Sequence, residues 1–204
     1  MVGDITVVRI IAGTAKGIRL KTPKGVNTRP TADRVKESVF GILRDFVEDA
    51  EVLDLFSGTG NLGLEALSRG AKKAVLIDKN IQSIKVMIQN AIITDLTGST
   101  VICREDVMQA LRRLNGDGHS FDLIFCDPPY NLGWLTKVLT AMENSNVLRV
   151  GGILAFEHSR HEKISVELKR IVVYRSEIYG ETVVSFFAKQ EGNDSENCSV
   201  PREL

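Results

Sequence analysis

The chain has 204 residues, 43% of them apolar, and its 26 basic and 26 acidic residues give a formal net charge of zero. That length can bury a sizeable core in one domain with an appendage, and the balanced charge excludes a protein that holds nucleic acid by bulk charge alone. Cys103, Cys126 and Cys198 show no short pair spacing, which excludes a disulfide framework and a cysteine-based zinc site. No apolar run approaches the roughly 18 residues of a membrane span. Asp4 and Arg9 interrupt the N-terminal apolar stretch, unlike a signal peptide. The expectation is a soluble, cytoplasmic protein in a reducing compartment.

Charge is nevertheless uneven along the chain. Residues 1–36 hold Arg9, Lys16, Arg19, Lys21, Lys24, Arg29, Arg34 and Lys36 against Asp4 and Asp33. Such local asymmetry is the electrostatic footprint of a polyanion site. Within it, Val7 to Gly13 reads as a strand, and Thr14-Ala15-Lys16-Gly17 closes a hairpin with Ile18 to Thr22. The reading is a small basic hairpin outside the main fold, in which residues 1–30 form an arm. A helix follows from about Ala32 to Val47, with Thr31 as N-cap and Asp33 in the first turn. Val35, Val39, Leu43 and Phe46 make its apolar face.

Glu51 to Phe56 is a strand, and Ser57-Gly58-Thr59-Gly60-Asn61-Leu62-Gly63 follows at once, leading into a helix from Leu64 to Arg69. Glycines at such a turn allow close backbone approach to a ligand over the strand end. The turn lacks the Gly-Lys-Ser/Thr of a P-loop. Asp54, just before the glycines, would repel a pyrophosphate and suits a ligand with an ammonium-bearing end. Ala74 to Asp78 is a second strand ending in an acid, where a ribose hydroxyl pair is usually held. Asn80 caps the next helix, whose expected buried stripe is Ile81, Ile84, Ile88 and Ala91. Ser99 to Cys103 is a third strand. Asp106 then either caps the helix from Val107 to Leu114 or reaches an adenine amine.

Phe121 to Cys126 reads as a buried strand and runs into Asp127-Pro128-Pro129-Tyr130. Neither proline can donate to a ladder, so the chain must leave the sheet in a stiff, extended turn. A carboxylate and carbonyls there can accept from an exocyclic amine, and the aromatic ring can stack on a base. Leu132 to Met142 is a helix in which Trp134 is a core or a pocket-mouth residue. Val150 to Phe156 is a fifth strand, and Glu157-His158-Ser159-Arg160-His161 reads as the loop at its end. There Glu157 is a solvated acid or a base contact, and the two histidines have no third metal ligand nearby. Leu168 to Arg175 and Thr182 to Ala188 form a final antiparallel pair around Gly180. Residues 190–204 read as a disordered tail. Alternating strands and helices make an α/β fold with a mostly parallel sheet, and Asp54, Gly58, Asp78, Asp106 and Asp127 all fall at its strand ends.

Val-Leu-Asp-Leu-Phe-Ser-Gly-Thr-Gly (52–60) with Asp-Pro-Pro-Tyr (127–130) resembles the S-adenosylmethionine-dependent amino methyltransferases. Arg9 to Gly13 and Thr28-Arg29-Pro30-Thr31 through Phe40 narrow the resemblance to the RsmD family, which methylates a guanine N2 of 16S ribosomal RNA. It covers roughly residues 8–188. It implies a Rossmann-like class I fold over 31–189, with a seven-stranded sheet whose last strand is antiparallel, and an N-terminal hairpin and helix. It implies S-adenosylmethionine as cofactor, held by Asp54, Phe56, Ser57, Gly58, Gly60, Asp78, Lys79, Asp106, Val107 and Asp127. The catalytic motif is Asp127, Pro128, Pro129 and Tyr130, and Arg9, Lys16, Arg19, Arg29 and Arg34 are the RNA-binding set. Position 78 is Asp where Glu is often found. The expected partner is 16S rRNA in the 30S subunit or an assembly intermediate, bound by a monomer with no metal and no membrane. Rival readings are a DNA or other RNA base-amine methyltransferase, or a non-catalytic ribosome-assembly factor.

Overall fold

The computed structural model describes residues 8–22 and 31–191, with backbone only at 31 and 32. Two helices, α1 (Thr31–Ile42) and α2 (Arg44–Val47), precede the sheet. Strand β1 (Glu51–Leu55) leads to α3 (Asn61–Ser68), β2 (Lys73–Asp78) to α4 (Ile81–Ile93), and β3 (Thr100–Arg104) to α5 (Val107–Gly116). Strand β4 (Phe121–Cys126) leads to α6 (Trp134–Glu143) and β5 (Leu148–Ser159), and the chain closes with β6 (Ile171–Tyr179) and β7 (Thr182–Lys189). The strands form one seven-stranded sheet in the order β3-β2-β1-β4-β5-β7-β6. β7 alone runs antiparallel to its neighbours, as the resemblance implied.

Both faces of the sheet are covered, so the central strands are apolar on both sides. Val52, Ala74, Leu76, Leu123 and Phe125 face one apolar cluster, shared with α1, α3 and α4. Leu53, Leu55, Val75, Ile77 and Ile124 face the other, shared with α5 and α6. Alternation along β1 puts Asp54 on the same face as Val52, beneath the start of α3.

The N-terminal arm differs from the expectation of an outlying hairpin. Its two strands reduce to a single bridge between Arg9 and Arg19, and its apolar residues Val8, Ile10, Ala15 and Leu20 are buried in the first cluster. Its backbone is held both across the hairpin, where Ile10 N–H donates to the Ile18 carbonyl at 2.9 Å and Leu20 N–H to the Val8 carbonyl at 2.8 Å, and by α3. Ile11 N–H and Ala12 N–H donate to the Glu65 carboxylate at 2.8 and 3.0 Å. Thr14 N–H donates to the Ser68 carbonyl, also at 2.8 Å. The arm is therefore a docked layer of the domain, because unpaired backbone donors this close to a core need partners. Residues 23–30, including Arg29, and the tail from 192 lie outside the described residues.

Three further boundaries move. The helix expected over 32–47 breaks at Leu43, fully buried with φ −88° and ψ 9°, where Phe46 N–H bonds the Leu43 carbonyl in a tighter turn. The face of α4 is rotated: Ile84 and Ala91 are buried as expected, but Ile81 and Ile88 are 40% and 46% exposed. Met87 and Asn90 take the inward positions. Asn90 is inside because its amide satisfies three backbone groups, Lys21 N–H, the Lys21 carbonyl and the Thr59 carbonyl, tying the arm's exit to the glycine turn. Finally, Glu157, His158 and Ser159 belong to β5 and not to a loop. They pair with Val184, Val183 and Thr182 of β7, and the buried His158 ring meets Ser185 Oγ at 2.9 Å.

The closeness of the arm to α3 is set at Gly13, where φ is +83° and a Cβ would sit 1.7 Å from the Ser68 carbonyl oxygen. Gly13→Ala is expected to undock the arm and to cost roughly 1–3 kcal/mol through strain alone. Hydrogen exchange at the Ile11 and Ala12 amides checks it: protection should fall there while the amides of β1 and β4 stay protected.

Candidate active site

The site is built at the carboxyl ends of β1 and β4. Their register pairs Leu55 with Cys126, so Phe56 and Asp127 emerge side by side. Between them opens a cleft of about 840 Å³.

On the β1 side, Phe56 adopts a left-handed conformation at φ 58°, turning the chain sharply off the strand. Its ring packs edge-on against Trp134, centroids 4.9 Å apart, so Trp134 is half-buried beside the loop. Ser57 splices the turn to β2: its N–H donates to the Ile77 carbonyl at 3.0 Å, and its Oγ accepts from Ile77 N–H at 3.1 Å. Gly58 N–H donates to Asp78 Oδ2 at 3.0 Å. Gly60, at φ 78°, closes the turn and opens α3. Gly63 lets the helix settle onto the strand, since a Cβ there would sit 2.2 Å from Leu76 Cδ2. Its N–H donates to Asp54 Oδ2 at 2.9 Å.

Asp54 is 2% exposed. Burial pushes its carboxyl up to about 7, the Gly63 N–H opposes this by favouring the ionised form, and the Asp78 charge adds to the rise. A buried acid held at this level gains most from a nearby cation. That fits S-adenosylmethionine, which carries both an ammonium and a sulfonium centre, and the glycine turn above it leaves room for close approach.

On the β4 side, Pro128 is buried while Asp127 and Pro129 are exposed. Tyr130 is half-buried, and its hydroxyl donates to Glu157 and lies 3.1 Å from Thr182 Oγ1. Asp54, Phe56, Ser57 and Gly58 line the cleft together with Asp127, Pro128, Pro129 and Tyr130. The other expected cofactor residues do not line it. Asp78 sits beneath the turn, its Oδ1 accepting from Asn80 N–H at 2.7 Å. Lys79 is exposed at the end of β2, and Asp106 caps α5 by accepting from Met108 N–H at 2.9 Å. Val107 is buried in the second apolar cluster. Of the expected RNA-binding residues, Arg34 is exposed and lines the cleft. Arg9, Lys16 and Arg19 are exposed on the arm, Arg9 pairing with Asp33 at 3.5 Å. The histidines do not converge: His161 faces Glu181, and among the described residues no cluster of His, Cys, Asp and Glu could hold a metal.

Several cleft residues were not singled out by sequence. Lys36 is 2% exposed and donates to the Arg9 carbonyl at 2.5 Å and to Asn61 Oδ1 at 2.7 Å. Burial pushes its ammonium down, and Glu65, 3.1 Å away, pushes it back up. Tyr179 donates to Ser38 and joins Glu157 and Thr182 along the far wall. From sequence, Lys36 is one of the basic residues of the N-terminal segment and Glu157 an acid at a strand end, while Tyr179 carries no signal.

The Asp54 environment makes a prediction for the ligand-free protein. A folded-state value of about 7 exceeds the ordinary aspartate value, so its stabilising contribution is full in acid and is lost as pH rises through about 7. The stability of wild type relative to Asp54→Asn should fall by up to about 1.4 kcal/mol per pH unit between roughly pH 4 and 7 and level off above. Urea denaturation of both proteins across that range measures it. A pH-independent difference would mean an ordinary carboxyl.

The family described as conserved hypothetical protein 95 matches residues 8–188 of the chain. YlbH of Bacillus subtilis is 35% identical over 182 residues, 89% of this chain and 99% of its own. The Ribosomal RNA small subunit methyltransferase D of Escherichia coli K12 is 29% identical over 189 residues, 93% of each chain. The solved structure of yhhF from Escherichia coli superposes with a TM-score of 0.79 at 28% identity, covering 91% of this chain and 99% of that one. SMU.776, solved with S-adenosylhomocysteine bound, shares the fold at a TM-score of 0.68 and 13% identity, over 84% of this chain and 53% of its own. With the match spanning nearly the whole described fold and both motifs placed on one cleft, the chain belongs to the conserved hypothetical protein 95 family, the RsmD family.

Proposed function

We propose that this protein transfers a methyl group from S-adenosylmethionine to the exocyclic N2 amine of a guanine in 16S ribosomal RNA. The observation that carries the reading is the shared cleft, in which the glycine turn after β1 and the Asp-Pro-Pro-Tyr turn after β4 face the same space. The relatives named Ribosomal RNA small subunit methyltransferase D support the substrate class.

When bound, the cofactor supplies an electrophilic methyl. The residues to hold it are Asp54, Phe56, Ser57, Gly58 and Gly60 around the turn, with Asp78, Lys79, Asp106 and Val107 along the neighbouring strand ends. Alignment and removal of water are the main contributions a protein makes to such a displacement. A guanine N2 amine is a weak nucleophile because its lone pair is delocalised into the ring. Asp127 and the Pro128 carbonyl accept hydrogen bonds from that amine, which keeps electron density on nitrogen and aims it into the cleft. The two prolines stiffen this turn, since neither can join a ladder. The methylated nitrogen sheds its proton to Asp127 or to solvent. Tyr130 stacks on the base, which must first be extruded if it lies in a helix, at about a few kcal/mol.

In this reading Arg34 at the cleft, and Arg9, Lys16 and Arg19 on the arm, hold RNA phosphates together with Arg29. The substrate in this reading is the 30S subunit or an assembly intermediate, met in the cytoplasm by a monomer.

The test uses 30S particles from cells lacking the endogenous activity, methyl-labelled S-adenosylmethionine, and nucleoside mass spectrometry. Wild type should produce N2-methylguanosine, and Asp127→Ala should slow its formation by roughly 10²–10⁴-fold. Label in adenosine, or in DNA and not rRNA, would move the assignment to another base-amine methyltransferase. Cofactor binding with no transfer to any nucleic acid would leave a binding factor.

A further inference from the structure

We propose that Glu157 is a positioning residue, fixing the ring of Tyr130 from the opposite wall of the cleft. The proposal rests on the functional reading above, in which that ring is the stacking face for the base. Tyr130 ends the stiff Pro-Pro turn, and the chain after it bends away at once. Tyr130 is followed by Asn131 at φ 59°, by Leu132 at 59% exposure and by Gly133 at φ 71°. The prolines before it fix where the backbone leaves β4, but they do not fix the plane of a side chain that swings about χ1 and χ2.

The second anchor comes from the sheet. The Tyr130 hydroxyl donates to Glu157 and lies 3.1 Å from Thr182 Oγ1. Those two side chains sit on the antiparallel junction between β5 and β7, where Glu157 pairs with Val184 and Ser159 with Thr182. Glu157 is flanked by Phe156, fully buried, and by His158, which is 6% exposed and bonded to Ser185 Oγ at 2.9 Å. The acceptor is thus carried by a strand that is itself locked. A ring held at its backbone and at its hydroxyl keeps one face toward the cleft, and such preorganisation is what a positioned stacking partner needs. Burial, and then the Glu157 contact, push the Tyr130 phenol well above its ordinary value, so it remains a neutral donor throughout the working range of pH.

A purely structural carboxylate would show itself in stability, whereas a positioning one should show itself in turnover of the RNA substrate. Tyr130→Phe removes the hydroxyl and keeps the ring; Glu157→Ala removes the acceptor; Glu157→Gln keeps an oxygen acceptor. Expected are losses in kcat/KM for 30S particles of about tenfold for each of the first two variants, with thermal midpoint and S-adenosylhomocysteine affinity unchanged. The double variant should be no worse than either single, and Glu157→Gln should retain most of the activity. A further loss on adding Glu157→Ala to Tyr130→Phe would mean that Glu157 touches the base directly, which overturns the positioning role. Unchanged kcat/KM in Glu157→Ala would overturn it too. A readout independent of substrate is the ring resonance of Tyr130 in protein carrying ¹³C-labelled tyrosine. It should shift or broaden in Glu157→Ala and not in Glu157→Gln, and an unmoved signal removes the anchor. If that signal moves while wild type methylates no RNA, the functional reading has failed and the anchor stands.

Discussion

The structure depends on one buried carboxylate. Glu65 has no exposed surface and accepts from four donors: Ile11 N–H, Ala12 N–H, Lys36 Nζ and Arg69 Nε. An ionised acid in an apolar interior is tolerated only when its charge is paired and its lone pairs are used. Here the partners come from three separate pieces of chain, the arm, α1 and α3 itself. Arg69 in turn lies over the Phe40 ring at 4.7 Å, so the pairing is walled in by the core it organises. Lys36 extends the connection to Asn61, the first residue of α3 and part of the cleft wall. The basic arm and the glycine turn are therefore tied together through the side chains of Lys36, Asn61 and Glu65.

Topology explains why the cleft opens where it does. The order β3-β2-β1-β4-β5-β7-β6 reverses direction at β1 and β4, and the connections leaving these two strands diverge to opposite faces of the sheet, leaving a crevice at their carboxyl ends. α3 packs on the face carrying Asp54, and α6 packs on the other. The insertion of β7 between β5 and β6 then brings Thr182 beside Glu157 and gives the crevice a far wall. A wholly parallel sheet would have sent that end of the chain to the opposite edge of the molecule, and Tyr130 would have had no partner there.

The parts of this arrangement legible in the sequence were those that local chemistry dictates. Two prolines after an apolar run can only leave a sheet, and an acid followed by a glycine turn and a helix can only sit at a strand end, so Asp54, Gly58 and Asp127 were placed correctly from residue types alone. What stayed hidden were buried polar residues whose partners are distant in sequence. Glu65 and Ser68 look like the solvated side of α3 until the arm, more than fifty residues away, is laid against them. Asn90 looks like an outward residue of α4, and the isoleucines at 81 and 88 like inward ones, because periodicity fixes a spacing without choosing between competing faces. Glu157-His158-Ser159 looks like a loop because three polar residues in a row seldom continue a buried strand, and the pairing with β7 and the contact from His158 to Ser185 make it one. The arm forms the expected hairpin, but its docking was hidden for the complementary reason: Val8, Ile10 and Leu20 are too few to predict a core contact, yet sufficient once α3 supplies hydrogen bonds.

The zero net charge also takes on a meaning that composition alone concealed. The bias lies in one segment of the chain. Eight of its basic residues lie in the first 36 positions, and those that the structure describes lie on the arm and α1. The acids Asp54, Asp78, Asp106 and Asp127 lie at the ends of β1 to β4. A uniform basic surface would attract RNA but oppose a cationic cofactor, and a uniform acidic one would do the reverse. At the cleft itself both signs are present, Arg34 and Lys36 from α1 and Asp54 and Asp127 from the ends of β1 and β4. Arg34 and Asp54 line that cleft together. The buried Lys36–Glu65 pair ties α1, which carries Arg34, to α3, whose Gly63 N–H holds Asp54, and so links the basic and acidic residues of the cleft through the core.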